Sequence, residues 1–401
     1  MLVALLAAAV VVAILARRSV LPYTVGLVLF GLVLSFVGPA IAFPVNPRLL
    51  LAIVLPGLVF EAAVRTDLAL LGRSAGWILL LAIPGVIIVA AIVAAVLATT
   101  TSLTVSEAFL VGAMVAATDP AAILATFRHL GVAPGLETIV EMESLVNDGT
   151  GIVLFSVALA FLVEGGSGDG SGAGPAVAFG VAIVGSVVAG VLLGALAARI
   201  IRATDDHLTQ LAITVVLAYG SYLIADGLGL SGVIATLVAG GAFGTLAGDA
   251  LSDRTRETID VVWEFAAFLL TAGVFLLVGL AISPASLRLA AEPIVWGVLA
   301  TLVARGLVVY GLLGIPSWLL ARLGRLGAAI PGPWLHVLAW AGLRGAVSVA
   351  LALSIPAGLP HRDLIQGVTF GIVLFTLVVQ GSTAGLVVRR SGALDQASDG
   401  E

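Results

Sequence analysis

Cysteine is absent from this 401-residue chain, and charged residues of every kind make up only 10% of it. Without cysteine there is no disulfide, no thiolate metal site and no cysteine nucleophile. Lysine is absent as well, so every basic residue other than histidine is an arginine. The net charge of -5 is spread over loops and ends, so no basic patch marks a nucleic-acid surface. A soluble fold carries about 25% charged residues. Here 61% of the residues are hydrophobic and the mean hydropathy is +1.21. An aqueous core cannot absorb that much apolar surface.

What is present is a series of long apolar runs. A backbone exposed to lipid must satisfy its own hydrogen bonds, which leaves helices and closed barrels. A barrel would show alternating segments of about ten residues. These runs are about twice that length and apolar on all faces, which suits spanning helices. The 48 glycines suit close helix packing in lipid. The predicted fold class is an all-α membrane protein of about thirteen spans. Their limits are 1–16, 20–38, 47–64, 75–98, 106–127, 136–163, 175–199, 208–226, 230–248, 262–282, 291–315, 333–356 and 364–388. The run Met1 to Ala16 is followed by Arg17 and Arg18, where a secretory signal would be preceded by them. It is read as a first span with its N-terminus outside.

The arginines test this count independently. With the N-terminus outside, inner segments hold Arg17, Arg18, Arg65, Arg73, Arg128, Arg199, Arg202, Arg254, Arg256, Arg322, Arg325, Arg389 and Arg390. Outer segments hold only Arg48, Arg288 and Arg362. Positive residues gather on the cytoplasmic side, so the C-terminus is expected there, in a multi-pass protein of the cell membrane. The stretch Glu164 to Gly174 is rich in Gly and Ser and reads as a flexible outer link. Ser252–Glu264 reads as a short amphipathic cytoplasmic helix. Only a short polar tail follows Arg390, and no soluble regulatory domain is expected.

Ionisable groups at membrane depth cost about 2.5–3.5 kcal/mol each, so they are functional candidates. Glu61 lies in the third span. Asp119 lies in the fifth, within Ala117-Thr118-Asp119-Pro120. Pro120 lacks an N–H and disfavours helical geometry at Asp119, so the fifth span is predicted to break there. Thr118 and Asp119 are placed to bind the freed backbone, with Asp119 capping the second half-helix. Such interruptions mark substrate sites in transporters. A plain proline kink would not need Thr and Asp at mid-depth.

The sixth span carries EMESLVNDGTG, with Glu141, Glu143, Ser144, Asn147 and Asp148. Ser144 and Asp148 are four apart and share a face, as do Glu143 and Asn147. One face offers a hydroxyl and a carboxylate to a cation, because hard cations prefer oxygen donors. The other offers a carboxylate and an amide to an arginine. Arg344, in the twelfth span, keeps its proton and needs a carboxylate or exposed carbonyls; Glu143 with Asn147 is its expected partner. Gly342 and Gly345 flank it. Arg305, in the eleventh span, is expected to pair with a carboxylate or line the cavity. Glu61 is expected to line a cytoplasmic funnel or sit near the interface. His129, His207, His336 and His361 fall near span ends without metal-ligand spacing. With the seventh span as a linker, spans 1–6 and 8–13 match as inverted repeats, and the broken fifth span corresponds to the twelfth. Broken helices 5 and 12 are then expected to cross at the midplane.

ATDPAAILATF, then ESLVNDGTGIVLF, then GLRGAVSVALALSIP resembles the ordered motif trio of the monovalent cation:proton antiporter family, in its electroneutral NhaP-type and NHE-type sodium/proton exchangers. The resemblance covers nearly the whole chain in span number and motif order. It implies that Asp148 alternately binds cation and proton, with Ser144 and the Thr118 main-chain oxygen as co-ligands of a monovalent cation. Asp119 and Glu61 then lie near the site, and Glu143, Asn147 and Arg344 form a structural network. It implies a core domain of spans 4–6 and 11–13 (75–163 and 291–388). An interface domain of spans 1–3 and 8–10 (1–64 and 208–282) would form a homodimer in the lipid. The segment 175–199 would link them and 389–401 would form the tail.

The expected function is antiport of sodium, or lithium, for protons by competition at one carboxylate, with no cofactor. Asn147 beside Asp148, in place of a second carboxylate, points to one cation per proton. Potassium/proton antiport on the same oxygens is the nearest alternative. An intramembrane aspartyl protease is a remote one. The pairs here are Thr-Asp-Pro and Asn-Asp-Gly, where such enzymes carry Tyr-Asp and Gly-x-Gly-Asp.

Overall fold

A computed structural model of the chain describes residues 10–12, 14, 22–37, 47–65, 68–163, 174–204, 206–282, 284–323 and 329–394. Most of the expected first span, most of the Gly/Ser link and most of the tail lie outside the described residues. Described helices fall on the second through thirteenth expected spans. Eight of them are long and apolar enough to cross a membrane, and 23–36 and 232–247 are shorter apolar helices. Among the described residues no strand occurs, only an isolated bridge between Val132 and Leu394.

In chain order, α1 is Tyr23–Val37, α2 is Pro47–Arg65 and α3 is Leu68–Leu80, continued through the π-helical turn Leu81–Gly85 into Val86–Thr100. Next come the half-helices α4 (Val105–Ala116) and α5 (Ala121–Leu130), then the long α6 (Pro134–Val163). α7 (Pro175–Ile201), α8 (His207–Gly227), α9 (Gly232–Ala247) and α10 (Asp253–Ala281) follow, with the short α11 (Pro284–Leu289). α12 (Ala291–Val308) runs through a second π-helical segment, Val309–Gly314, into Ile315–Arg322. The half-helices α13 (Gly332–Trp340) and α14 (Ala346–Leu353) precede α15 (Arg362–Phe375), whose π-helical extension Thr376–Gln380 leads into Gly381–Ser391.

Helix starts are written locally. Thr104 and Glu107 form a capping box at α4: the Thr104 N–H donates to Glu107 at 2.8 Å, and the Glu107 N–H donates to the Thr104 hydroxyl at 3.3 Å. Asp206 caps α8 through the Thr209 N–H at 2.8 Å, and Ser252 caps α10 through the Thr255 N–H at 3.2 Å. The cap at Ser252 corrects one expectation. The charged stretch 252–264 is not a separate short helix but the first turns of α10, because Ser252 starts the helix and nothing after it stops it.

Packing depends on small residues, since lipid offers helices no hydrophobic drive to associate. α1 lies against α10 with Gly31 facing Gly279, and a Cβ on either would collide with backbone of the other helix. α7 packs along α9, while α4 and α6 pack against each other and against the middle of α3. α12 and α15 close the far side of α3 and α4. The two broken helices are enclosed: α4 and α14 are almost wholly buried.

Candidate functional site

The chain leaves helical geometry at Ala117 through Pro120 and again at Ala341 through Gly345. The two interruptions meet: the Asp119 N–H donates to the Leu343 carbonyl at 2.8 Å. Four half-helix ends therefore converge, two exposing N–H groups and two exposing carbonyls. Each end carries a partial charge that low dielectric leaves unscreened.

Side chains compensate those ends. The Asp119 carboxylate accepts from the Ala121 N–H at 3.0 Å and from the Ala346 N–H at 3.4 Å, so one acid serves the N-terminal ends of both α5 and α14. Arg344, fully buried, donates to the Ala116 and Ala117 carbonyls at 2.6 and 3.1 Å, where α4 ends. Arg305 donates from Nε and Nη2 to the Leu338 carbonyl at 3.1 and 3.0 Å, serving the end of α13.

Arg305 also makes a bidentate pair with Glu143, at 2.8 and 2.9 Å, with both side chains about 95% shielded (5% and 3% exposed). This corrects the expected pairing. Glu143 is bound by Arg305, and Arg344 takes the alternative of exposed carbonyls. The reason is geometric: Arg344 sits inside the second break, facing the frayed end of α4.

Asn147 stitches the first break to α6. Its Oδ1 accepts from the Thr118 N–H at 3.0 Å, and its Nδ2 donates to Thr118 Oγ1 at 2.7 Å and to Glu143 at 2.9 Å. Ser144 Oγ donates to the Thr118 carbonyl at 2.5 Å. Thr118, Ser144, Asn147 and Glu143 are all buried. The structure thus brings together Thr118 of the fifth span with Glu143, Ser144 and Asn147 of the sixth.

Asp148 differs from its neighbours. It lies one helical turn from Ser144, is partly exposed, and accepts no hydrogen bond from a described residue. Asp119 and Glu143 are the charged groups near enough to act on it. One carboxylate beside this crossing is therefore left without a partner among the described residues, one turn along α6 from the Ser144 hydroxyl.

Glu61 is placed away from the crossing, at the end of α2. It pairs with Arg65 at 2.6 Å, and Arg65 reaches Glu264 of α10 at 3.1 Å. Glu141, two turns before Asp148 on α6, has no ion pair among the described residues and lies within electrostatic reach of Glu61, Arg65, Arg128 and Glu137. Arg128 pairs with Glu137 at 3.2 Å. These groups form a charged end of the bundle on one side of Asp148.

Some supporting residues escaped the sequence reading. Thr376 accepts from the Arg344 N–H at 3.0 Å, and Thr150 donates to the Ala82 carbonyl at 2.6 Å. Thr376 and Ala82 both lie in π-helical turns, which free backbone groups for such partners. Their only sequence signal is a lone hydroxyl in an apolar run. His361 sits 3.1 Å from Glu107, tying the start of α15 to the start of α4; Glu107 carried no expectation.

Comparison with known proteins gives the family. The family model described as "Sodium/hydrogen exchanger, transmembrane" matches residues 3–390. The Na(+)/H(+) antiporter NhaS2 of Synechocystis is 36% identical over 389 residues, 97% of this chain and 70% of that protein. The Na(+)/H(+) antiporter NhaH of Halobacillus aidingensis is 33% identical over 404 residues, 97% of this chain and 96% of that one. The fold is that of the sodium proton antiporter MjNhaP1 from Methanocaldococcus jannaschii, with a TM-score of 0.77 over 97% of each chain at 23% identity. The chain belongs to the sodium/hydrogen exchanger family of transmembrane proteins.

Proposed function

We propose that this protein exchanges sodium for protons across the cell membrane, with Asp148 as the group that binds each in turn. One observation carries the reading: Asp148 is the carboxylate beside the crossing that no described donor satisfies, one helical turn from Ser144, whose hydroxyl reaches the Thr118 carbonyl. These hard oxygens suit a small monovalent cation. The relatives named as Na(+)/H(+) antiporters support the same reading.

The charge balance supports one-for-one exchange. Around the crossing stand two arginines, Arg305 and Arg344, and three carboxylates, Glu143, Asp119 and Asp148. Glu143 and Asp119 are matched by donors, so one negative charge is left over. One proton or one monovalent cation neutralises it. A loaded core is then neutral with either partner and crosses at little electrostatic cost, while the empty core carries a charge that low dielectric penalises. Exchange is coupled because only the two loaded forms move, and it is electroneutral because both have the same charge.

Movement is assigned to spans 4–6 and 11–13 sliding against spans 1–3 and 8–10, in a homodimer with N-terminus outside and C-terminus inside. Glu61 belongs to the inner approach, where its pairing with Arg65 keeps a carboxylate near the charged end without placing it on Asp148.

The test is dissipation of an imposed pH gradient in proteoliposomes by sodium, lithium or potassium. Wild type is expected to respond to sodium, and Asp148→Asn is expected to respond to none. Exchange retained by that variant overturns the assignment. A response to potassium alone replaces sodium with potassium at the same oxygens. A rate that follows an imposed membrane potential overturns the one-for-one count.

A further inference from the structure

A cavity of about 250 Å³ lies on the side of Asp148 opposite the Arg65–Glu264 end. α6 contributes Ile152 and Ser156, α7 contributes Ala182, α8 contributes Tyr222 and Asp226, and the turn before α9 contributes Ser231. It therefore sits in the seam between α6, which carries Asp148, and the helix pair α8–α9. Asp148, Ile152 and Ser156 are spaced four apart, so they form one stripe on α6. Ile152 is about 6 Å and Ser156 about 12 Å along the axis from Asp148. The seam is tight just below the cavity: Ser231 Oγ approaches the Gly149 carbonyl at 3.4 Å, and Ile234 packs against Gly149.

The lining has a definite chemistry. Asp226 is its single charged residue and is exposed. Tyr222 is only 7% exposed, lies within electrostatic reach of Asp226, and its hydroxyl makes no hydrogen bond to a described residue. Ser156 and Ser231 add hydroxyls. The space has room for several waters, enough for a monovalent cation that keeps part of its hydration shell. Asp226 sets a single negative charge at the rim of that space, which raises the local cation concentration there.

We propose that this cavity is the outer waiting site for the transported monovalent cation, with Asp226 attracting it and Ile152 sealing it from Asp148 in the conformation described here. The proposal rests on the reading of Asp148 as the exchange site. It adds a second, weaker cation site and a residue that acts from one side only. The arginine distribution assigns this end of α6 to the outer face. Asp226 is a recruitment residue, because it lines the cavity and Asp148 does not.

The absence of cysteine makes the test clean, because a single introduced thiol has no background. In right-side-out vesicles, Ser156→Cys is treated with membrane-impermeant cationic and anionic thiosulfonates from the outside. We expect modification from that side, faster with the cationic reagent by about tenfold, slowed by sodium, and with the charge bias lost in Ser156→Cys/Asp226→Asn. In transport, Asp226→Asn is expected to raise the half-saturating sodium concentration on the outside about fivefold and to leave the inner one unchanged, with Asp226→Glu restoring it. No modification from outside, or a bias unaffected by Asp226→Asn, overturns the proposal, as does an equal effect on both sides. The thiol results stand whatever Asp148→Asn does, so failure of the waiting site and failure of the exchange site are told apart.

Discussion

Between Ala116 and Ala121 the first broken helix places an aspartate, and between Trp340 and Ala346 the second places an arginine. Asp119 serves the N-terminal ends of both breaks, and Arg344 serves the carbonyl end of the first. The carbonyl end of the second break has no such partner within the crossing. Its Leu338 carbonyl depends on Arg305 from α12, which is held in turn by Glu143 of α6. The charged compensation of the first break thus comes from inside the crossing, with Asn147 and Ser144 of α6 adding neutral bonds, and that of the second comes through an ion pair that bridges two further helices. Compensation of a half-helix end is a matter of local charge, and the chain supplies it by two different routes.

The difference predicts an order of damage. Arg305→Ala removes the partner of a buried carboxylate as well as the cap on Leu338, and breaking a buried pair this way costs about 3–5 kcal/mol. Arg344→Met leaves carbonyls unpaired but breaks no direct ion pair, and hydrogen bonds from a charged group are worth about 1.5–3 kcal/mol. Denaturing-detergent titration in mixed micelles is expected to rank Arg305→Ala as the more damaging of the two. Glu143→Leu combined with Arg305→Met is expected to recover most of the loss, because no charge is then stranded. An Arg344 variant that proved the worse would break the comparison. It would mean that the charged support of the first break outweighs that of the second.

Gly345→Ala sharpens the comparison at the contact between the breaks. A Cβ there collides with the Asp119 side chain, including its own Cβ and carboxylate. Overpacking of this kind costs about 1–3 kcal/mol. Because it pushes on the acid that serves both N-terminal ends, sodium-driven proton movement is expected to fall together with stability. A glycine beside a charged residue at mid-span was visible in the sequence. Its reason, room for an aspartate from another helix, was not.

That contrast marks where the sequence stops informing. The apolar runs and arginine alternation outline the helices because lipid imposes length and hydrophobicity on every span. Pro120 announces its break through its own missing N–H. Ser144 and Asp148 share a face because four residues make one turn. Partner choice between distant helices follows no such local rule. Arg305 and Arg344 look alike in composition, and only the position of α12 beside α13 decides which one reaches Glu143. The π-helical turns are equally hidden, since Leu81–Gly85 and Thr376–Gln380 carry no residue that demands them beyond Pro84 in the first. The true start of α10 is hidden for a related reason. Charge at 252–264 reads as a surface helix, while the backbone continues straight into the apolar run.

The smallest effect comes from the hydroxyls that satisfy the breaks without carrying charge. Thr376 receives the Arg344 N–H at 3.0 Å, and this backbone donor has no helical partner because the chain is not helical there. Thr376→Val keeps the shape and removes the acceptor, which leaves one buried N–H unsatisfied at a cost of about 1–3 kcal/mol. The lower end is expected, since the π-helical turn has neighbouring carbonyls free to shift toward the donor. Arg344 keeps its bonds to Ala116 and Ala117 in that variant, so sodium affinity is expected to stay at the wild-type value while stability drops slightly. A change in affinity larger than the change in stability would show that the backbone at Arg344, and not its guanidinium, sets the geometry of the crossing.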